Sequence, residues 1–282
     1  MFVLTLYIIY ICLLKFDLNS NKYSKVEILF LGDSQIQKGI NPELFPNSKN
    51  MAVSGESLLF TFYKIKHILN HENKIRIIYL GIGVHSFSDF YDEVTLGQIK
   101  NLDNTSEYFP YLPYWLQKKL ILEHKMDLPK YYSRIYNSLI LNSFNLNRNS
   151  YNFGGGYFNN DSIAFNLSRS KSRACKAYFN VGRVREFSTY NLNSLDSIID
   201  LCHKKRIKIQ VIRMPVFNQY FNLIPKKFIE FYDFNLKKRN ISYIKFDDTL
   251  NSNIFLPDGD HLNIIGSNII SKKLYNKVWI NK

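Results

Sequence analysis

Apolar positions along this chain fall into two alternating rhythms, short continuous runs and longer stripes at helical spacing. Val26-Glu27-Ile28-Leu29-Phe30-Leu31, stopped by Gly32, reads as a buried strand. Asn50-Met51-Ala52-Val53-Ser54, ended by Gly55, gives a second. Leu58, Leu59, Phe62, Ile65, Ile68 and Leu69 then recur at helical spacing and predict an amphipathic helix over 56–71. A third strand, residues 74–80, stops at Gly81. After a long interval a helical stripe over 189–205 leads into a fourth strand, 207–212, that stops before Pro215. A helix over 225–238, with Pro225 near its first turn, a fifth strand over 241–246 and a closing helix over 262–279 complete the series. Strands alternating with helices predict a three-layer α/β fold of flavodoxin-like type. Its five-stranded parallel sheet is covered by helices on both faces.

Two segments break the alternation. Residues 87–186, between strands three and four, are rich in Tyr, Asn and Ser and carry Gly154-Gly155-Gly156. An interruption of that length is usually functional or disordered. Helical stretches at 114–125 and 130–141 point to an inserted cap over the sheet edge. At the other break, Phe2 to Leu14 is a charge-free apolar run ending at Lys15. It is shorter than the roughly 20 residues of a bilayer-spanning helix and matches the length of a signal-peptide core. It has neither a basic start nor a small-x-small cleavage site. Residues 1–16 therefore read as a membrane anchor or signal-like segment, with a buried first element as the alternative. Residues 17–24 form a polar linker, and 25–282 one domain.

Composition adds little to this. A hydrophobic share of 46% with 21% charged residues is that of a globular protein. The net charge of +14 comes from 37 Lys and Arg against 23 Asp and Glu. Such a balance suits nucleic acid, an anionic lipid surface or an acidic glycan. The cations are spread along the chain, and their densest cluster, His203-Lys204-Lys205-Arg206, falls where a helix ends and complements its dipole. No nucleic-acid-binding motif accompanies them, so no nucleic-acid partner is expected. Cys12, Cys175 and Cys202 show neither zinc nor disulfide spacing, and the last two read as buried small hydrophobes. No metal or cofactor is implied.

The chemistry sits at the two ends of the domain. Strand one runs into Gly32-Asp33-Ser34, which places a serine at the carboxyl end of a strand, where open α/β sheets bind ligands. Asp33 reads as shaping the turn. After strand five comes Pro257-Asp258-Gly259-Asp260-His261-Leu262-Asn263, then Gly266 and a helix. An Asp three residues before a His can bend back to Nδ1 and leave Nε2 facing a serine, which needs such a base to become nucleophilic. Asp260 is expected to be exposed or to cap the last helix. Arg213, at the end of strand four, faces the same edge, either as a surface residue or as a ligand for an acidic substrate.

Together these motifs resemble the SGNH/GDSL hydrolase superfamily, over most of the chain. The resemblance implies Ser34 as nucleophile, His261 as general acid/base and Asp258 as its orienting partner. Gly55 and Ser34 would lend backbone N–H groups to an oxyanion hole. The family's Gly-x-Asn after strand three is absent: the segment reads Leu80-Gly81-Ile82-Gly83-Val84-His85-Ser86, with Gly83 where Asn would fall. Losing one such donor costs about 10²–10³ in rate. Either His85, Ser86 or a backbone N–H at Gly83 replaces it, or the enzyme is slow. For His85 the alternative is a partly buried loop histidine. The resemblance extends to membrane-tethered members that esterify or de-esterify envelope polysaccharides. It implies a serine esterase or O-acyltransferase, outside the cytoplasm, acting on acetyl esters of a polysaccharide or another O-acylated substrate. A catalytically weak glycan-binding or scaffold protein of the same fold is the alternative.

Overall fold

The computed structural model describes residues 25–71, 74–95, 108, 111–122, 155–159, 164–241, 243–246 and 250–280. The apolar run Phe2–Leu14, the linker 17–24 and the expected helix over 130–141 lie outside them. Five strands form one sheet: β1 (Ile28–Leu31), β2 (Ser48–Asn50), β3 (Ile77–Gly81), β4 (Lys208–Arg213) and β5 (Tyr243–Lys245), in the order β2-β1-β3-β4-β5. Every neighbouring pair is parallel, in the register Ile28↔Ser48, Ile28↔Ile77, Ile77↔Lys208 and Val211↔Tyr243. The flavodoxin-like expectation agrees with this order.

Alternation along the strands divides the core in two. Leu29, Leu31, Ile78, Leu80 and Val211 point into one cluster, whereas Ile28, Phe30, Tyr79, Ile212 and Ile244 point into another. The first is covered by α2 (Leu58–His71), α6 (Thr189–Lys204) and α8 (Lys226–Lys238), through residues such as Ile65, Ile198 and Phe228. The second is covered by α1 (Ser34–Gly39) and α9 (Ile264–Tyr275), through Ile36, Ile270 and Leu274. All four residues of β1 are buried, as a central strand covered on both faces requires.

β2 begins two residues earlier than its apolar run suggests. It is an edge strand, and its first two residues are the polar Ser48 and Lys49. Past Asn50 the chain stays alongside β1, with Met51 N–H donating to the Phe30 carbonyl at 2.8 Å and Val53 N–H to that of Gly32 at 3.1 Å.

Within the interval between β3 and β4, the described residues form α3 (Phe90–Thr95), α4 (Tyr114–Leu122), α5 (Leu167–Tyr178) and a short hairpin pairing Phe179–Asn180 with Arg183–Val184. α5 has no counterpart in the apolar pattern, because its buried side is made of Ser170, Ala174, Ala177 and Tyr178. It packs on α7 (Asn218–Phe221). Cys202 is buried in α6 as expected, but Cys175 is exposed, since it lies on the solvent side of α5. No helix among the described residues is long and apolar enough to cross a membrane.

Candidate active site

The strand order reverses direction between β1 and β3, and the loops leaving the carboxyl ends of the strands meet there. Gly32 lets the first of these loops turn. Its φ is +136°, and a Cβ would stand 2.9 Å from the Gly81 carbonyl oxygen at the end of β3. The chain then enters α1 with Asp33 as its cap, Oδ1 accepting from the Gln35 backbone N–H at 2.9 Å. Ser34 is the first residue of that helix and is 6% exposed.

From the other end of the chain, the loop after β5 delivers Asp258 and His261. Asp258 Oδ1 accepts the backbone N–H groups of Asp260 and His261 at 3.0 and 3.1 Å, which ties the carboxylate to its own turn. Its Oδ2 lies 2.8 Å from His261 Nδ1, and His261 Nε2 lies 2.7 Å from Ser34 Oγ. Burial of Asp258 favours the neutral acid, but the hydrogen bond and charge of His261 outweigh it and hold the carboxyl below its usual range. An ionised Asp258 keeps the proton on Nδ1, so Nε2 is free to accept from the serine hydroxyl.

Asp260 is neither exposed nor a cap. It is 1% exposed, and Asn263 caps α9 by accepting from Gly266 N–H. Its carboxylate accepts from Arg173 Nε and from the Gln35 side-chain amide, each at 2.8 Å. Burial opposes its ionisation, but the Arg173 guanidinium prevails and depresses its pKa strongly. At 3.8 Å from His261 Nε2 it stands a full ångström farther from the ring than Asp258 does. Arg173 and Gln35 were not singled out from the sequence. Their signals were slight: Gln35 follows the serine, and Arg173 lies on the Ser/Ala-lined side of α5. The same helix holds the loop through its cap, with Asn166 N–H donating to the Pro257 carbonyl at 2.9 Å.

His85 is not the partly buried loop histidine that the sequence left as an alternative. It is 1% exposed, with Nε2 2.6 Å from Asp33 Oδ2, which also accepts from Tyr91 Oη at 3.0 Å. Burial works against protonation, but the carboxylates of Asp33 and Asp260 raise the His85 pKa, and His85 in turn lowers that of Asp33. The site thus rests on two buried charge pairs, Asp33–His85 and Asp260–Arg173.

Of the positions expected to supply oxyanion donors, Gly83 has its N–H engaged by Ser86 Oγ at 3.1 Å. A side chain there would also collide: a Cβ would lie 2.4 Å from His85 Cε1 and 2.7 Å from Gln35 Oε1. The backbone N–H groups of Ser34 and Gly55 form no hydrogen bond with another described residue. Gly55, at φ +74°, turns the chain between Val53 and Glu56, whose N–H donates to the Val53 carbonyl at 3.1 Å. That turn is anchored from below by Glu56, which pairs with Lys64 at 2.5 Å and accepts from Thr61 and Tyr108. Lys64 also donates to the Met51 carbonyl at 2.6 Å. Arg213 lies at the end of β4 with its side chain 11% exposed. Among the described residues no cluster of His, Cys, Asp or Glu could hold a metal ion.

Solved structures are similar to this chain, among them the following three. A candidate platelet activating factor from Streptococcus pneumonia is 12% identical with a TM-score of 0.42, covering 98% of this chain and 99% of its own. A GDSL-like lipase from Bacteroides thetaiotaomicron is 10% identical with a TM-score of 0.40, over 92% and 90%. A candidate acylhydrolase from Bacteroides fragilis is 10% identical with a TM-score of 0.38, over 92% and 97%. No protein-family model and no curated protein matches the sequence.

Proposed function

We propose that this protein is a serine ester hydrolase or O-acyltransferase of the SGNH/GDSL type, with Ser34, His261 and Asp258 as its triad. The observation that carries the reading is the unbroken chain of contacts Ser34 Oγ–His261 Nε2–His261 Nδ1–Asp258 Oδ2, at 2.7 and 2.8 Å, assembled from opposite ends of the domain. Ser34 Oγ attacks the ester carbonyl while His261 Nε2 takes its proton. The oxyanion of the tetrahedral intermediate is held by the backbone N–H groups of Ser34 and Gly55. As the intermediate collapses, the C–O bond to the leaving alkoxide breaks and His261 returns the proton to that alkoxide. Water or a sugar hydroxyl then attacks the acyl-enzyme, again with His261 as base, and frees Ser34.

The substrate class we propose is a short acyl ester, foremost an acetyl ester, of an envelope or extracellular polysaccharide. The spread of positive charge supports an anionic polymer as partner. The apolar run Phe2–Leu14 supports a tether to a membrane on the extracytoplasmic side. A second reading, a slow or non-catalytic glycan-binding protein, is favoured by one observation. The Gly83 N–H donates to Ser86, which leaves two backbone donors for the oxyanion.

Incubating the full chain with an activated acetyl ester and mapping the label by peptide mass spectrometry separates the two. The esterase reading expects acetyl on Ser34, none in Ser34→Ala, and acylation at least about 10³-fold slower in His261→Ala. Turnover equal in the parent and both variants, with the fold intact, sinks it and leaves the binding protein.

A further inference from the structure

A cleft bordered by Gln35 and Asp260 lies behind Ser34 and His261, neither of which lines it; the Asp260 carboxylate in its wall is 3.8 Å from His261 Nε2. About 250 Å³ of atom-free space lies in and over it, part of it open solvent. Its interior admits little more than a water-sized group, so a ligand enters by one small end while the rest stays in the mouth. Tyr178 of α5 and Tyr220 of α7 line it, each 0% exposed. Among the described residues neither phenol hydroxyl has a hydrogen-bond partner of full geometry, though the two lie near enough to interact with each other. Buried hydroxyls without partners are uncommon in folded proteins, and two in one cleft call for a ligand or water that completes them.

Arg213 forms a further part of the wall. Its guanidinium is held in place by the rings of Tyr232 and Phe221, at 5.2 and 5.6 Å from the ring centres. Its nearest carboxylate among the described residues is Asp233, with which it pairs at 3.9 Å and which is half exposed. The other charges around the cleft are matched, Asp260 by Arg173 and His85 by Asp33. We infer that Arg213, Tyr178 and Tyr220 form a carboxylate-binding subsite behind Ser34. It takes either the acid group of an acidic sugar or a small free carboxylic acid.

The chemistry selects a carboxylate over other anions. Burial, reinforced by the Asp260 carboxylate, pushes both phenols well above their ordinary pKa, so each keeps its proton and acts as a donor. A guanidinium with two hydroxyl donors suits a planar group with two acceptor oxygens and a single charge. A dianion such as phosphate is bulkier and would face Asp260 across the same small space. Val216 and Ile224 supply apolar wall for the carbon that bears the acid.

That this carboxylate belongs to the substrate rests on the acyl-transfer reading. Binding is therefore measured on the full chain carrying Ser34→Ala, without turnover, so that the two ideas fail separately. Saturation-transfer NMR titrations with acetate, galacturonate and galactose would be compared in that chain, with Arg213→Gln added, and with Tyr178→Phe and Tyr220→Phe added together. Both carboxylates are expected to bind, and both sets of changes to weaken them at least about tenfold. Galacturonate at least tenfold tighter than acetate identifies an acidic sugar as the source, whereas equal affinities identify a free acid. The double Phe chain should melt at or above its parent, because hydroxyls without partners do not hold the fold together. Galactose binding as well as galacturonate, carboxylate binding unchanged by both sets of changes, or no carboxylate binding at all overturns the inference.

Discussion

Replacing Arg173 with Met tests whether the loop that carries Asp258 and His261 is held by charge. Asp260 has two strong partners, Arg173 Nε and the Gln35 amide, each at 2.8 Å, and its side chain is fully buried. With Arg173 gone, a buried carboxylate is left with one neutral donor. Breaking a buried pair from one side costs about 3–5 kcal/mol. Arg173 is itself 21% exposed, so water entering along its path reduces this to about 2–4 kcal/mol. Adding Asp260→Asn removes the stranded charge but keeps the amide contact to Gln35, and should recover more than half of the loss.

The same cycle has a pH signature. In the parent chain the Asp260 pKa is depressed below 3.8, so its contribution is present above that value and is lost only in strong acid. In Arg173→Met, burial loses its largest counterweight, with only His261 and His85 left to oppose it, and the carboxyl pKa rises. The deficit is then largest at neutral pH and shrinks as pH falls toward 4. Urea unfolding of the parent, Arg173→Met, Asp260→Asn and the double variant at pH 7 and pH 5 reads both effects. Equal stability of Arg173→Met and Arg173→Met/Asp260→Asn, or a deficit that does not move with pH, would refute the role given to the pair.

Two further outcomes follow from the loop after β3. Gly83→Asn, which installs the residue common in SGNH enzymes, meets the His85 ring and Gln35 instead of open space. It should lower both stability, by about 1–3 kcal/mol, and the acylation rate; faster acylation would show that the missing donor had simply been absent. Asp33–His85 should make stability fall on the alkaline side. The His85 pKa is raised by Asp33 and Asp260 against burial and the nearby Arg173, so its contribution is whole below about pH 6.5 and lost as pH rises through the folded-state value. On the acid side, the lowered Asp33 pKa keeps its contribution above 3.8. His85→Gln should flatten the decline in melting temperature between pH 6 and 9, and parallel curves for the two proteins would exclude the pair as its source.

The sheet was legible in the sequence because parallel strands buried on both faces must be continuously apolar. β1 and β3 stand out for that reason, with boundaries displaced by up to three residues, whereas β4 shows as alternation of apolar and polar residues. β2 was harder to place, since an edge strand tolerates Ser48 and Lys49, and its apolar continuation from Met51 runs beside β1 as extended loop. α5 was missed because a helix that packs through Ser170, Ala174 and Ala177 has no apolar stripe to detect. It is also the element that supplies Arg173. The serine, histidine and Asp258 were readable because their spacing is local, or fixed to the ends of strands.

What supports those three is of another kind. Gln35, Arg173, His85 and Tyr91 act through partners 225, 87, 52 and 58 positions away, and no window along the chain contains both members of such a pair. Burial is also what gives these residues their force. An exposed Asp–Arg pair contributes little, whereas Asp260 without Arg173 is a buried charge missing its main partner, 3.8 Å from His261 Nε2. Arg213 shows the same dependence from the opposite side. Read along the chain it is one cation among 37 Lys and Arg. Packed against two aromatic rings and lining the cleft with two phenol hydroxyls, it is a cation whose described carboxylate partner, Asp233, stands at 3.9 Å and is half exposed. Its role therefore follows from what the fold places around it, and substitutions at Tyr178 and Tyr220 test it as directly as one at Arg213 itself.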